Sequence, residues 1–268
     1  MRHWFVGGHH RLKKLFHLCI MKRLHLFILF FFAGLLSFAQ PLIHSHNDYV
    51  QPEPLTNAIR NKVFSIEADI YLTTRGLLVS HNRKDLPTAR PLDSMYLQPI
   101  IELFRQHNGT ISEDRNYAPV LMIDIKDSSR AVLAELIKLL SPHGSVFDRS
   151  VNPKAVQVVI SGSRGLIPGW ISHPSYIFFD GRPKEEYDNA TLRRVAFISD
   201  SYFNYIIIPD STDSRIQQVV QKVHGMGKLL RVWGIPDNPE SWKNIRELGV
   251  DIINTDKVEE CRKYFFKE

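Results

Sequence analysis

The feature that most constrains this chain is an alternation. Short apolar, β-branched runs take turns with longer stretches whose apolar residues recur every three or four positions. Strand-like runs fall at 41–44, 63–70, 77–80, 120–125, 155–160, 176–179, 195–198, 228–233 and 251–254. Helical spacing falls between them, at 94–107, 129–140, 214–226 and 239–248. In "SRAVLAELIKLL", Val132, Leu133, Leu136 and Leu140 mark one buried helical face. Runs such as "VLMIDI" suit a parallel sheet covered on both faces. About eight strand–helix units predict an α/β fold of the (β/α)8 TIM-barrel type. An open doubly wound sheet is the alternative, but no glycine-rich phosphate loop follows the first run.

Charge at first suggests a nucleic-acid partner, since the formal net charge is +6. Its distribution argues otherwise. Arg2, Arg11, Lys13, Lys14, Lys22 and Arg23 all precede residue 40, where there is no acid, so the remainder carries 28 basic and 28 acidic residues. The segment itself reads as an export signal. Lys22 and Arg23 precede the apolar "LFILFFFAGLL", and Ser37 and Ala39 supply small residues before a cut. This run is shorter than the ~20 residues of a bilayer span. The expectation is therefore a signal peptide over 1–39, with Met21 as an alternative start, followed by a barrel domain over 40–268. That gives an exported, periplasmic or secreted, monomeric protein with no integral membrane segment in the mature chain and no nucleic-acid partner. Only Cys261 would remain after cleavage, so no intrachain disulfide is expected.

Polar side chains concentrate at the carboxyl ends of the runs, where barrels build their sites. The first run leads into "IHSHNDYV", which carries His44, His46, Asn47 and Asp48. The second contains Glu67 and Asp69, its continuation ends at His81, and the next contains Asp124 and Lys126. Later runs end at Arg164, Asp180 and Arg182, at Trp233, and at "INTD". Residues two apart on a strand share a face. Three carboxylates gathered that way repel one another unless a cation holds them. Oxygen ligands from Glu67, Asp69, Asp124 and the Asn47 amide suit one hard divalent cation, Mg²⁺ or Ca²⁺.

The order of His46, Glu67-x-Asp69, His81 and Asp124 resembles the PLC-like phosphodiesterase superfamily. Its members include the glycerophosphodiester phosphodiesterases, phosphoinositide phospholipases C and the sphingomyelinase D group. The His46-Asn47 pair is similar to that of the eukaryotic phospholipases C, in which the Asn is a calcium ligand. The stretches "HNDY", E-x-D, "SH", "VISG-x-R", "FDGR" and "GVD-x-INTD" resemble most closely the branch of altered inheritance of mitochondria protein 6. This resemblance runs from about Pro41 to Cys261. It implies a metal-dependent phosphodiester hydrolase. His46 would be the base and His81 the acid. Asn47, Glu67, Asp69 and Asp124 would hold the metal, and Lys126, Arg164, Arg182 and Trp233 would contact a small-molecule or lipid phosphodiester.

Two other readings stay open. The H-x-H of His44 and His46 also opens amidohydrolase-like metal barrels, which need further histidines on middle strands. His107, His143, His173 and His224 do not end strand-like runs. A silent barrel that binds phosphate ligands without turnover is the other. His44 is expected to pack within its strand, and Asp48 to orient a histidine or the loop.

Overall fold

The computed structural model describes residues 40–207 and 212–266. The export signal expected over 1–39 lies outside the described residues. Residues from Pro41 onward form one compact unit.

Eight parallel strands close into a barrel: β1 (Leu42–Ser45), β2 (Ser65–Thr73), β4 (Val120–Ile125), β5 (Gln157–Gly162), β6 (Ile177–Gly181), β7 (Val195–Ser201), β8 (Leu230–Trp233) and β9 (Ile252–Thr255). Pairing of β1 with both β2 and β9 completes the ring. The run at 77–80 becomes β3 (Gly76–Val79), an antiparallel partner of the long β2. This hairpin projects from the mouth and returns the chain to the level of Asp69, where Ser80 N donates to the Asp69 carbonyl.

Alternation along each strand sorts the side chains. Outward residues such as Ile66, Ile70, Leu121 and Ile123 are at most 1% exposed and pack in one core with Val132, Leu133, Leu136 and Leu140 of the helix Ser129–Leu140. Each such buried side chain stabilises the fold by roughly 1.5–3 kcal/mol. Inward residues divide by height. Low in the barrel, Val120, Met122, Val159, Phe197 and Ile252 form a separate apolar plug. One alternation higher on the same strands come Asp124, Ser161, Ser199 and Asn254. The strands therefore carry an apolar floor and a polar upper layer within a few residues.

Not every element follows the expected periodicity. The helix expected at 94–107 starts as a π-helical turn, Asp93–Leu97, before the α-helix Gln98–Gln106. The C-terminal helix Val258–Phe266 was not expected, because its apolar face is narrow: only Val258 and Cys261 are buried.

Candidate active site

The acids meet because of strand register. Asp69 on β2 is the lateral partner of Asp124 on β4. Glu67 lies two residues earlier on β2 and faces the same interior. Oxygens of the three carboxylates fall within 4.8 Å of one another. Gly162, at the end of β5, permits this approach. Its φ is +66°, and a Cβ there would overlap the Asp124 carboxylate and come 2.5 Å from the Ile125 carbonyl oxygen.

Asp69 serves several neighbours. Its Oδ2 lies 3.0 Å from Tyr49 OH, 2.7 Å from His81 Nδ1 and 3.1 Å from Lys126 Nζ. Its Oδ1 is buried without a hydrogen-bond partner. Lys126 Nζ also lies 3.2 Å from Asp124 Oδ1. Burial pushes the Asp124 carboxyl up to about 6; Lys126 opposes this, and the charges of Glu67 and Asp69 add to it. Burial acts on Glu67 in the same sense. There the hydrogen bond from His44 and the charge of Arg231 outweigh it, and the group stays well below the usual carboxylate range.

Asn47 closes this side. It adopts the left-handed conformation, φ 45° and ψ 46°, which Asn tolerates better than most residues. Its Oδ1 accepts from Tyr49 OH at 2.8 Å. The Tyr49 hydroxyl has one proton, so it donates to Asn47 or to Asp69 but not to both. Oxygen donors from three acids and an amide, with a buried and unpartnered Asp69 Oδ1, fit a hard divalent cation better than zinc.

The two histidines sit on different elements. His81 follows the hairpin and is held by Asp69. His46 follows β1, and its Nδ1 lies 2.8 Å from Asp256 Oδ1. Burial disfavours its charge, yet the Asp256 hydrogen bond and the charges of Glu67 and Asp256 leave His46 above its ordinary pKa. Asp256 is itself placed by Asp237, which accepts from the Asp256 amide at 2.9 Å and from Thr255 Oγ1 at 2.6 Å.

His44 does not share this role. It is fully buried, its Nε2 lies 2.8 Å from Glu67 Oε2 and 2.7 Å from Arg231 Nη1, and burial lowers its pKa to about 4. One ring nitrogen cannot serve both contacts: it donates to Glu67 or accepts from Arg231. His44 and His46 therefore do not present the joint ligand pair of an amidohydrolase-like site. Asp48 orients the loop and touches neither histidine. It accepts from Ser45 Oγ at 2.8 Å, Leu55 N at 2.7 Å and Tyr96 OH at 2.9 Å, and so pins Leu55 at a positive φ.

These groups border one cleft of about 480 Å³, lined by His46, Asn47, Glu67, His81, Asp124, Lys126, Ser161, Arg182, Arg231 and Trp233 among others. Arg182 reaches it while paired with Asp180 at 2.8 Å, and Trp233 is 38% exposed there. Arg164, expected among the phosphate-binding residues, is not brought into this lining. Glu185 engages it through both terminal nitrogens, at 3.1 and 2.7 Å, and the Asp180 carbonyl takes a third bond at 2.7 Å. A second cleft of about 540 Å³ borders Asp256, and four of its charges are paired with one another, Arg60 with Glu53 and Lys263 with Glu259.

Residues 37–165 match the family model described as the AIM6-like phosphodiesterase domain. Altered inheritance of mitochondria protein 6 of Eremothecium gossypii is 28% identical over 268 residues, 83% of this chain and 69% of that protein. The protein of the same name from Lachancea thermotolerans is 28% identical over 82% of this chain and 64% of its own length. The chain thus spans about two thirds of the length of these curated relatives. Residues 37–165 are thus similar to AIM6-like phosphodiesterase domains. A crystal structure of a glycerophosphodiester phosphodiesterase from Parabacteroides distasonis superposes with a TM-score of 0.56 at 14% identity, over 85% of this chain and 99% of that one. This likeness establishes the barrel.

Sequence reasoning assigned no role to Tyr49, Asp237, Asp256 and above all Arg231. Arg231 is 3% exposed. It donates to Ser199 Oγ at 2.9 Å and Asn254 Oδ1 at 3.0 Å, and lies 3.6 Å from Glu67 and 3.7 Å from Asp180. Its one signal was an arginine between Leu230 and Val232 in a strand otherwise destined for burial.

Proposed function

We propose that this protein is a metal-dependent phosphodiesterase acting on a glycerophosphodiester or phospholipid-like diester, with His46 and His81 as its acid–base pair. One observation carries the reading. Two histidines from separate elements border the same cleft as the acid cluster, and each has a carboxylate on Nδ1: Asp256 for His46, Asp69 for His81. That partner fixes the tautomer and leaves Nε2 as the nitrogen for proton exchange.

Glu67, Asp69, Asp124 and Asn47 would hold the cation. Its chemistry, when bound, is to stabilise charge on the non-bridging phosphate oxygens. His46 takes the proton from the attacking water or from a neighbouring hydroxyl of the substrate, and the Asp256 carboxylate favours the imidazolium that results. His81, half-exposed on the hairpin, returns a proton to the leaving oxygen. Lys126 and Arg182 hold non-bridging oxygens, and Trp233 walls the leaving-group side. Arg164 braces the loop after β5. The leader supports export, with a mature start near Gln40.

³¹P NMR of products from a panel of diesters, with and without chelator, tests this reading. The expected result is cation-dependent conversion of at least one diester to a monoester or cyclic phosphate. Loss of turnover by His46→Ala and by His81→Ala, each by roughly 10²-fold or more, should accompany it. Binding of phosphate ligands with no turnover of any diester would instead identify a silent binding barrel.

A further inference from the structure

The acid cluster is not simply anionic. Glu67, Asp69, Asp124 and the buried Asp180 contribute four negative charges. Lys126, Arg182 and Arg231 contribute three positive charges, all within 3.7 Å of those acids. His46 and Asp256 form a pair of their own. Counted without His81, which is 57% exposed, the interior beneath the cleft carries a net charge of about −1.

We propose that Arg231 is a built-in counter-ion that makes the acid cluster bind a divalent cation weakly alone and tightly only together with a phosphodiester monoanion. The proposal rests on the cation site of the proposed function. Arg231 is buried and is fixed by Ser199 and Asn254, so its guanidinium charge is a built-in part of the site. A divalent cation turns −1 into +1 in a partly desolvated cleft, which costs binding. A monoanionic diester alone turns −1 into −2, which costs binding as well. Together they leave the interior neutral. Each ligand therefore improves the other's affinity, and by linkage the two factors are equal. The device belongs to Arg231 because, without it, the cluster would stand near −2, accept a divalent cation to neutrality, and offer the anion nothing further.

Calorimetric titration of Mg²⁺ into the protein, with and without saturating dimethyl phosphate, tests this without any turnover. Dimethyl phosphate should tighten Mg²⁺ binding about fivefold or more, and Mg²⁺ should tighten dimethyl phosphate by the same factor. Arg231→Met should bind Mg²⁺ alone more tightly than the wild type and show a smaller enhancement by dimethyl phosphate. Should Arg231→Met fail to fold, Arg231→Gln removes the same charge while keeping side-chain N–H groups for Ser199 and Asn254, and the same two changes are expected. Equal Mg²⁺ affinity with and without dimethyl phosphate in the wild type overturns the proposal even if diesters are hydrolysed. Unchanged constants in a folded Arg231→Met or Arg231→Gln protein overturn it too. Synergy without hydrolysis of any diester sinks the phosphodiesterase reading and leaves the counter-ion standing.

Discussion

Asp256 and Gly162 show how much of this site depends on residues that only position the groups around them. Asp256 outweighs the effect of burial and raises His46 above its ordinary pKa, so His46 loses its proton, and becomes a base, at a higher pH than an ordinary histidine. The acid limb of kcat/KM should therefore lie above about pH 6.5. In Asp256→Asn that limb should shift to lower pH while the plateau falls, because the better-populated neutral imidazole is a weaker and less well oriented base. A pH–rate profile decides it; a limb that stays in place removes Asp256 from the mechanism. Gly162 acts through space alone. Gly162→Ala should cost roughly 1–3 kcal/mol in stability, as positive φ and close packing both imply. It should also erase the rise in Tm that a divalent cation gives the wild type, because Asp124 must move. Retention of that rise, measured by calorimetry, contradicts the assigned position of Asp124.

Strands were legible and the junctions between them were less so. All nine of the runs read as strands became strands, and the run at 120–125 coincides with β4 end to end, because burial on both faces demands a short apolar run. E-x-D on β2 and D-x-K on β4 could be read as one inward face because period two is a local property. Asp256 could not be read so. Its partner His46 is 210 positions away, and only closure of β9 onto β1 brings them together. Arg164 failed for the opposite reason. It ends a strand in a phosphate-binding pattern, but Glu185, on the next loop, claims both of its terminal nitrogens. A strand end says that a side chain reaches the mouth of a barrel; it does not say which neighbour reaches that side chain first.

The barrel as a whole sets an apolar floor beneath a polar upper layer, and that layer weakens the cation-free protein at neutral pH. Asp124 is the clearest case. Its pKa rises from an ordinary 3.8 to about 6 on folding, so the folded state binds the proton more tightly than the unfolded chain does. Its contribution is fully present below pH 3.8 and is lost as pH rises through 6. A rise of that size corresponds to about 3 kcal/mol against the native state at higher pH. Glu67 works in the other direction, since it is held below the carboxylate range and its stabilisation is lost as pH falls through it. Asp124→Asn removes the first penalty and leaves the second effect intact. In chelator at about pH 7.5, well above the raised pKa, the variant should therefore melt at a higher temperature than the wild type, and near pH 4 the difference should vanish. Added Mg²⁺ or Ca²⁺ should raise the Tm of the wild type and leave that of the variant in place. The cation supplies the charge that the Asp124 carboxylate needs, and the neutral amide of the variant has no such need. A variant that melts below the wild type in chelator at the higher pH would show that Asp124 is held by its ion pair with Lys126 alone, with no part left for a cation to play.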